Sequence, residues 1–138
     1  MSLFNIFNVS ASGMSAQSVR LNTTASNLAN ANSVASSAGE TYRARQPVFA
    51  AEMAKANQGQ VGTGVQIKGI VESDKPMLKE YMPDHPMADK EGFIYKPNVN
   101  VMEEMANMIS ASRSYQMNVQ VADAAKSMLQ QTLRIGKS

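Results

Sequence analysis

Two stretches at the ends of the chain carry apolar residues at alternating intervals of three and four. The first row is Phe4, Phe7, Ala11, Met14, Ser18, Leu21, Ala25 and Leu28, all but Ser18 apolar. That spacing keeps one side of a 3.6-residue helix apolar and predicts a long amphipathic helix with a heptad-like seam, weakened at Gly13. Asn30, Asn32 and Ser33, then Gly39, read as its stop, because asparagine accepts the left-handed cap conformation. The second row is Val101, Met105, Met108, Ser112, Tyr115, Val119, Ala122, Lys126, Leu129 and Leu133. Pro97 precedes it, and Asn100 with Glu103 has the spacing of a capping box. Glu103 and Glu104 fall in the positive first turn, Arg134 and Lys137 in the negative last turn, and Gly136 supplies the C-terminal cap. A helix of about 35 residues is roughly 50 Å long, against about 12 residues for the common helix of globular proteins.

Between these rows the 3.6-residue period gives way to short alternating runs. Thr41–Phe49 and Gly64–Glu72 are expected as strands, the second carrying Val65 and Ile67 and interrupted at Gly69. Ala50–Asn57 is expected as a short helix before Gly59, Gly62 and Gly64. Asp74–Pro86 contains Pro76, Pro83 and Pro86 and reads as an extended loop, and Gly92–Lys96 as a short strand. The fold class that follows is α+β: long N- and C-terminal helices paired in a coiled-coil-like domain (1–34 and 99–138), with a small β-rich domain between them (35–98).

Composition sharpens this picture. The 138 residues are 43% apolar with alanine counted, yet contain no Trp and 11 Met. Val, Ile, Leu and Phe together make about a fifth of the chain, a proportion that leaves little for a large core. With no cysteine, disulfides, thiolate metal sites and a cysteine nucleophile are excluded. The single histidine, His85, leaves no basis for a histidine metal cluster or a Ser-His-Asp triad. A formal charge of +2 without any Lys/Arg run gives no nucleic-acid footprint. No apolar run approaches the ~20 residues of a membrane span. Residues 1–7 lack the basic and apolar regions of a Sec signal peptide.

Charge is also unevenly placed: Arg20 is the one charged side chain of residues 1–39. The outward faces of both helices carry Ser, Thr, Asn and Gln where solvated faces usually carry charge. Hydroxyls and amides are far cheaper to bury than charges, provided that each finds a partner. Such faces suit packing against neighbouring subunits. Met102, Met105, Met108, Met117 and Met128 add side chains that adapt to contacts differing between neighbours.

At the level of motifs, Ala11-Ser12-Gly13-Met14-Ser15-Ala16-Gln17, Arg20-Leu21-Asn22 and Ser26-Asn27-Leu28-Ala29-Asn30-Ala31-Asn32 resemble the N-terminal signature of bacterial flagellar rod and hook proteins. Asn100-Val101-Met102-Glu103-Glu104-Met105 and Met108-Ile109-Ser110-Ala111-Ser112-Arg113-Ser114-Tyr115 resemble that family's C-terminal end. His85-Pro86-Met87-Ala88-Asp89, Gly92-Phe93 and Pro97-Asn98-Val99, together with the short length, are similar to its proximal-rod members. The resemblance implies a non-enzymatic subunit of the rod that crosses the periplasm, without cofactors. It implies terminal helices packed around an export channel, the β module outside, and type III export without a cleaved signal. Implied partners are further copies, other rod proteins, and basal-body ring and export-apparatus proteins, in a helical homo- or hetero-oligomer. The family's usual Leu or Val is replaced here by Met at several positions.

On that footing Leu21, Leu28, Met105, Tyr115, Val119 and Leu129 are expected to form the seam within the chain, with Met14 and Met108 on the same rows. Asn27, Asn30 and Asn32 are expected to cap the first helix and bond backbone at the junction. Arg113, nearly the only charge of its stretch, is expected to make an interhelical or intersubunit hydrogen bond. His85, with Asp84 and Asp89 on a proline-rich loop, forms no recognised ligand set and is expected to pack or face solvent. The competing function is a helical-hairpin module docking to a secretion partner or a membrane. Membrane docking calls for Lys/Arg along the polar faces, which hold almost none. An enzyme lacks any clustered reactive set. Because the ends need neighbours, the isolated subunit is expected to have poorly ordered termini.

Overall fold

The computed structural model describes residues 3–52 and 62–136. Its elements are α1 (Leu3–Asn30), β1 (Arg45–Ala51), β2 (Val65–Glu72), β3 (Leu78–Tyr81), β4 (Phe93–Lys96) and α2 (Val101–Ile135). The molecule is α+β, with a long helix at each end and two small antiparallel sheets between them, β1–β2 and β3–β4.

Each helix ends for a chemical reason. Asn100 caps α2, its Oδ1 accepting from the N–H groups of Met102 and Glu103, which otherwise have no intrahelical partner. The return arm of a capping box is absent among the described residues, and Glu103 stays exposed. Gly136 closes α2 through its N–H to the Thr132 carbonyl, in right-handed geometry. The end of α1 corrects the expected mechanism. Among the described residues no residue other than glycine has positive φ, so asparagine does not stop this helix from the left-handed region. Asn30 Nδ2 donates back to the Ser26 carbonyl, and both the N–H and the Oγ of Ser33 donate to the Asn30 carbonyl.

Strand β1 pairs with β2 in a seven-residue ladder whose register shifts between Val48 and Phe49, opposite Gly69 and Ile67. Lys68 is the extra residue of this bulge, beside the glycine that had marked an interruption. Strand β1 begins at Arg45 rather than Thr41, whose Oγ1 instead donates to the Ser37 carbonyl in the preceding loop. Ala50 and Ala51 belong to β1 and not to the short helix expected there; the rest of that segment, from residue 53 through Asn57, lies outside the described residues. The second correction is β3. Residues 78–81 of the expected loop pair with β4, Leu78 opposite Lys96 and Tyr81 opposite Phe93. Proline-rich flanks concealed a four-residue strand whose stability comes from its partner: the Tyr81 and Phe93 rings meet edge-on at 5.2 Å, Lys79 Nζ sits 3.9 Å over the Phe93 ring, and Glu80 pairs with Lys96.

The sheets are tied to the helices by side chains bonded to backbone. Asn27, 1% exposed, donates from Nδ2 to the Arg45 carbonyl, while its Oδ1 accepts from the Arg45 N–H and the Tyr42 hydroxyl. Ser12 Oγ accepts from Val65 N–H at the other end of the hairpin, so the β1–β2 ribbon lies along α1 from Asn27 to Ser12. Asn98 joins the strands to the entry of α2: its Oδ1 accepts from Ala44 N–H and its Nδ2 donates to the Ser73 and Lys75 carbonyls. The β3–β4 pair is held to the chain after α1 by reciprocal backbone bonds between Ala35 and Tyr95.

Among the described residues the buried apolar core consists of Ala16, Ala35, Ala44, Ala111, Ala125, Ile94 and Pro97. Five alanines, one isoleucine and one proline exclude little water, as the shortage of large side chains in the composition foretold.

Candidate assembly surface

Helices α1 and α2 make the most extensive contact in the chain, and they run antiparallel: Gly13 faces Asn118, and Arg20 donates from Nη2 to Asn107 Oδ1 at 2.8 Å. The residues at this contact are mainly small or polar. On α2 the covered row is Glu104, Met108, Ala111, Asn118, Ala122, Ala125 and Leu129, with Tyr115 at its margin. Ala111 is fully buried, and at Gly13 a Cβ would stand 2.9 Å from Asn118 Nδ2. The helices therefore approach on a glycine and alanines, side chains too short to hold them apart.

This placement moves half of the expected seam. Met108, Tyr115, Ala122 and Leu129 lie on the covered row or its edge. Of their expected companions, Met105 and Lys126 are exposed, while Ser112 and Val119 are half-buried; Glu104, Ala111 and Ala125, each one position before an expected seam residue, are buried. Met105 is 48% exposed, while Val119 is half-buried. In α1 the shift is larger. The face turned inward carries Ser10, Gly13, Gln17, Arg20, Thr24 and Asn27, whereas Phe4, Ala11, Ser18 and Ala25 are exposed. Met14, Leu21 and Leu28 stand half-buried at the edge of the contact. The sequence signal for the true row was a seven-residue repeat of small residues (Glu104 apart, Ala111, Asn118 and Ala125), which a search for apolar periodicity passes over.

Two polar groups mark the interior of the pair. Gln17 Oε1 is buried with no hydrogen-bond partner, and a buried acceptor left unpaired costs about 1–3 kcal/mol. Asn118 bonds to its own helix, Nδ2 to the Ser114 carbonyl. Asn30 is half-buried and bonded within α1, and Asn32 is exposed. Arg113 is exposed and forms no hydrogen bond or ion pair among the described residues.

What the pair leaves uncovered is apolar. Phe4 on α1, and Met102, Met105, Ile109, Met117, Val121, Met128, Leu133 and Ile135 on α2, are all exposed. Pairing Gly13 with Asn118 sets Leu3 about opposite Met128 at equal rise per residue, so the end of α2 runs past α1, and residues 130–136 are exposed throughout. The β1–β2 ribbon likewise exposes Val48, Phe49, Val65, Ile70 and Val71. Apolar exposure spread over two helices and a ribbon exceeds the scattered surface residues that need no explanation.

Elsewhere the chemistry is structural. His85 Nδ1 accepts from Met87 N–H in a turn. Asp89 Oδ1 accepts from the N–H groups of Glu91 and Phe93, and the Tyr95 hydroxyl lies 3.4 Å from Oδ2. The Phe93 N–H above all, helped by the Glu91 N–H, the Lys79 charge and the Tyr95 hydroxyl, holds the Asp89 carboxyl below its usual range against an opposing push from burial. Among the described residues no three His, Asp or Glu side chains are grouped to hold a metal ion, and no helix is long and apolar enough to cross a membrane.

Comparison with known proteins agrees with the motifs. Residues 7–46 match the family described as flagella basal body rod protein. Residues 90–135 match the family described as flagellar basal body rod FlgEFG protein C-terminal. Flagellar basal-body rod protein FlgC of Salmonella typhimurium and that of Yersinia enterocolitica are each 47% identical over 137 residues, covering 99% of this chain and all of theirs. The FlgC of Borreliella burgdorferi is 34% identical over 149 residues, covering 98% of each chain.

Proposed function

Since the chain belongs to the flagellar basal-body rod protein FlgC family, a family of structural rod components, we propose that it is a non-enzymatic subunit of the proximal rod. Its terminal helices polymerise into a helical tube that surrounds the export channel and transmits torque. The observation that carries this reading is the double character of α1 and α2. Their contact with each other is small and polar, and the apolar side chains predicted to join them are half-buried or exposed. A neighbouring subunit covers those side chains and supplies the burial that one chain lacks.

In this reading residues 1–34 and 99–138 form the inner domain and residues 35–98 the outer one, bridged by Asn27, Asn98 and the Ala35–Tyr95 pair. Met14, Leu21, Leu28, Met105, Met108, Tyr115, Val119 and Leu129 are the adjustable surface, with Asn27 and Asn30 holding the junction. Partners are further copies, other rod proteins, and the ring and export-apparatus proteins that the rod meets. The subunit reaches the periplasm by type III export and works in the basal body. A contact between unlike surfaces that does not close into a ring propagates as a helix, which is how one kind of subunit makes a segment of tube.

Electron microscopy of basal bodies tests the proposal. Cells lacking the chain are expected to have no rod and not to swim, and a tagged copy that restores swimming is expected at the membrane-proximal end of isolated rods. A tagged copy found only outside basal bodies would refute it. The competing module that docks to a membrane finds no support in α1, whose one charge, Arg20, is bonded to Asn107.

A further inference from the structure

A cleft of about 360 Å³ opens where α1, β1 and the first turns of α2 converge, lined among others by Arg20, Arg45, Pro47, Phe49, Glu103 and Glu104. That volume is roughly tenfold the ~30 Å³ share of a water molecule, so it admits a long side chain. Glu104 is only 5% exposed, yet its carboxylate forms no hydrogen bond or ion pair among the described residues. Both nearby guanidiniums are engaged elsewhere. Arg20 donates to Asn107 Oδ1. Arg45 pairs with Glu72 at 3.3 Å and lies 5.5 Å from the centre of the Tyr42 ring. That carboxylate opens on the cleft, where a guanidinium of good geometry gains a charge-assisted bond to it.

Arg113 is a cation in the complementary condition. Arg113 is exposed and unpaired, between the exposed apolar residues Ile109 and Met117 one turn to either side. It stands nine residues from Glu104, about two and a half turns and therefore on the opposite face of α2, roughly 13 Å along the axis. One helix thus presents an uncommitted cation with an apolar rim outward and an uncommitted carboxylate inward, in a cleft whose apolar walls are Pro47 and Phe49.

We infer that Arg113 of one copy enters the cleft of a second copy and pairs with its Glu104, joining subunits head to tail. Arginine suits the site because its planar, weakly hydrated guanidinium bonds a carboxylate with two parallel N–H groups. Since the giving and receiving surfaces differ, the assembly keeps one of each free at its ends after every addition, and the contact propagates without closing on itself. Ile109 and Met117 pack against Pro47 and Phe49 around the pair and keep water from it. This deepens the rod reading and rests on it.

The absence of cysteine makes the test direct. Rods assembled from the E104C/R113C double variant and oxidised are expected to give a ladder of disulfide-linked multimers. Mixtures of E104C with R113C are expected to stop at dimers. A double variant that yields dimers alone would show a closed, reciprocal contact and overturn the head-to-tail arrangement. To leave the cleft intact, R113C carrying a short photo-crosslinker is assembled with the unaltered chain. Adducts are expected on the unaltered copy near Glu104, Pro47 or Phe49. Adducts confined to another rod protein, or none in assembled rods, would refute the second copy as occupant. R113E and E104R are each expected to lower rods per cell by at least about tenfold, the scale of breaking a desolvated charge pair, and the charge-swapped double variant to restore them. Failure of the swap together with absent adducts would sink the pairing. If the unaltered chain itself is missing from basal bodies, the rod reading is what fails.

Discussion

At the scale of single residues, this molecule substitutes hydrogen bonds for bulk. Asn27 satisfies both backbone groups of Arg45 and the Tyr42 hydroxyl from a buried position. Asn27→Ala removes three hydrogen bonds of about 0.5–1.5 kcal/mol each, while the Tyr42 hydroxyl keeps its contact with Ser26. The expected result is a loss of about 2–4 kcal/mol in denaturant unfolding, with the Arg45 amide among the first to gain hydrogen exchange. Gln17 predicts the opposite sign. Replacing an orphaned buried acceptor by a side chain of similar shape, Gln17→Met, is expected to raise stability by about 1 kcal/mol, measurable as a higher urea midpoint. Asp89 sets a pH dependence. Its folded pKa is depressed, so its contribution is complete above the ordinary carboxylate value of 3.8 and is lost as pH falls through the lower folded value. The 82–92 loop is expected to loosen in acid, seen as Tyr95 and Phe93 resonances losing dispersion. In Asp89→Ala the loop is expected to be loose at neutral pH already, with no further change in acid.

At the scale of elements, Gly13 decides how closely α1 and α2 approach. Alanine there gains about 1 kcal/mol of helix propensity but presses on Asn118, whose amide turns away at the loss of its bond to Ser114. Those terms nearly cancel, and Gly13→Ala is expected within about 1 kcal/mol of the parent. Gly13→Leu has no such relief and is expected to destabilise by about 1–3 kcal/mol or to splay the helices, visible in a thermal melt of the purified subunit. The ribbon needs its helix in the same way. A two-stranded hairpin is marginal alone, and β1–β2 is fixed by Asn27 at one end and Ser12 at the other. Gly92 allows the β3–β4 turn to close: its φ is +82°, and a Cβ there would stand 2.9 Å from the Tyr81 ring.

At the scale of the whole molecule, the buried apolar side chains among the described residues, five alanines, one isoleucine and one proline, make a core too small to hold two long helices firmly. Circular dichroism of the dilute subunit is therefore expected to show less helix than α1 and α2 together contain, rising on assembly. A dilute monomer with its full helical signal and a cooperative high melting point would contradict the idea that neighbours complete this fold.

The two helices were legible from their period, Asn100 from its place before the second row, and β2 and β4 from short apolar alternation. Local chemistry sets these features, and the sequence states local chemistry directly. Strand β3 was not legible, because its stability lies in rings and charges contributed by β4. Nor was the left-handed asparagine stop correct, since Asn30 found a bond to Ser26 that kept ordinary backbone geometry.

Which face of each helix turns inward was decided only in three dimensions. Apolar periodicity ranks faces by hydrophobicity, and it ranked Phe4, Ala11 and Met105 as interior. The fold ranked them by how closely two backbones can approach, so Gly13, Ala111 and Ala125 turned inward and larger side chains were left at the edge or outside. In a monomer that choice forfeits burial. In the proposed polymer the same choice reserves the apolar side chains for the next subunit. The sequence by itself thus determined two long helices, the first with Arg20 as its one charge. Tertiary structure decided that close approach on small residues joins them to each other and leaves apolar side chains uncovered, because two backbones come closest where side chains are shortest.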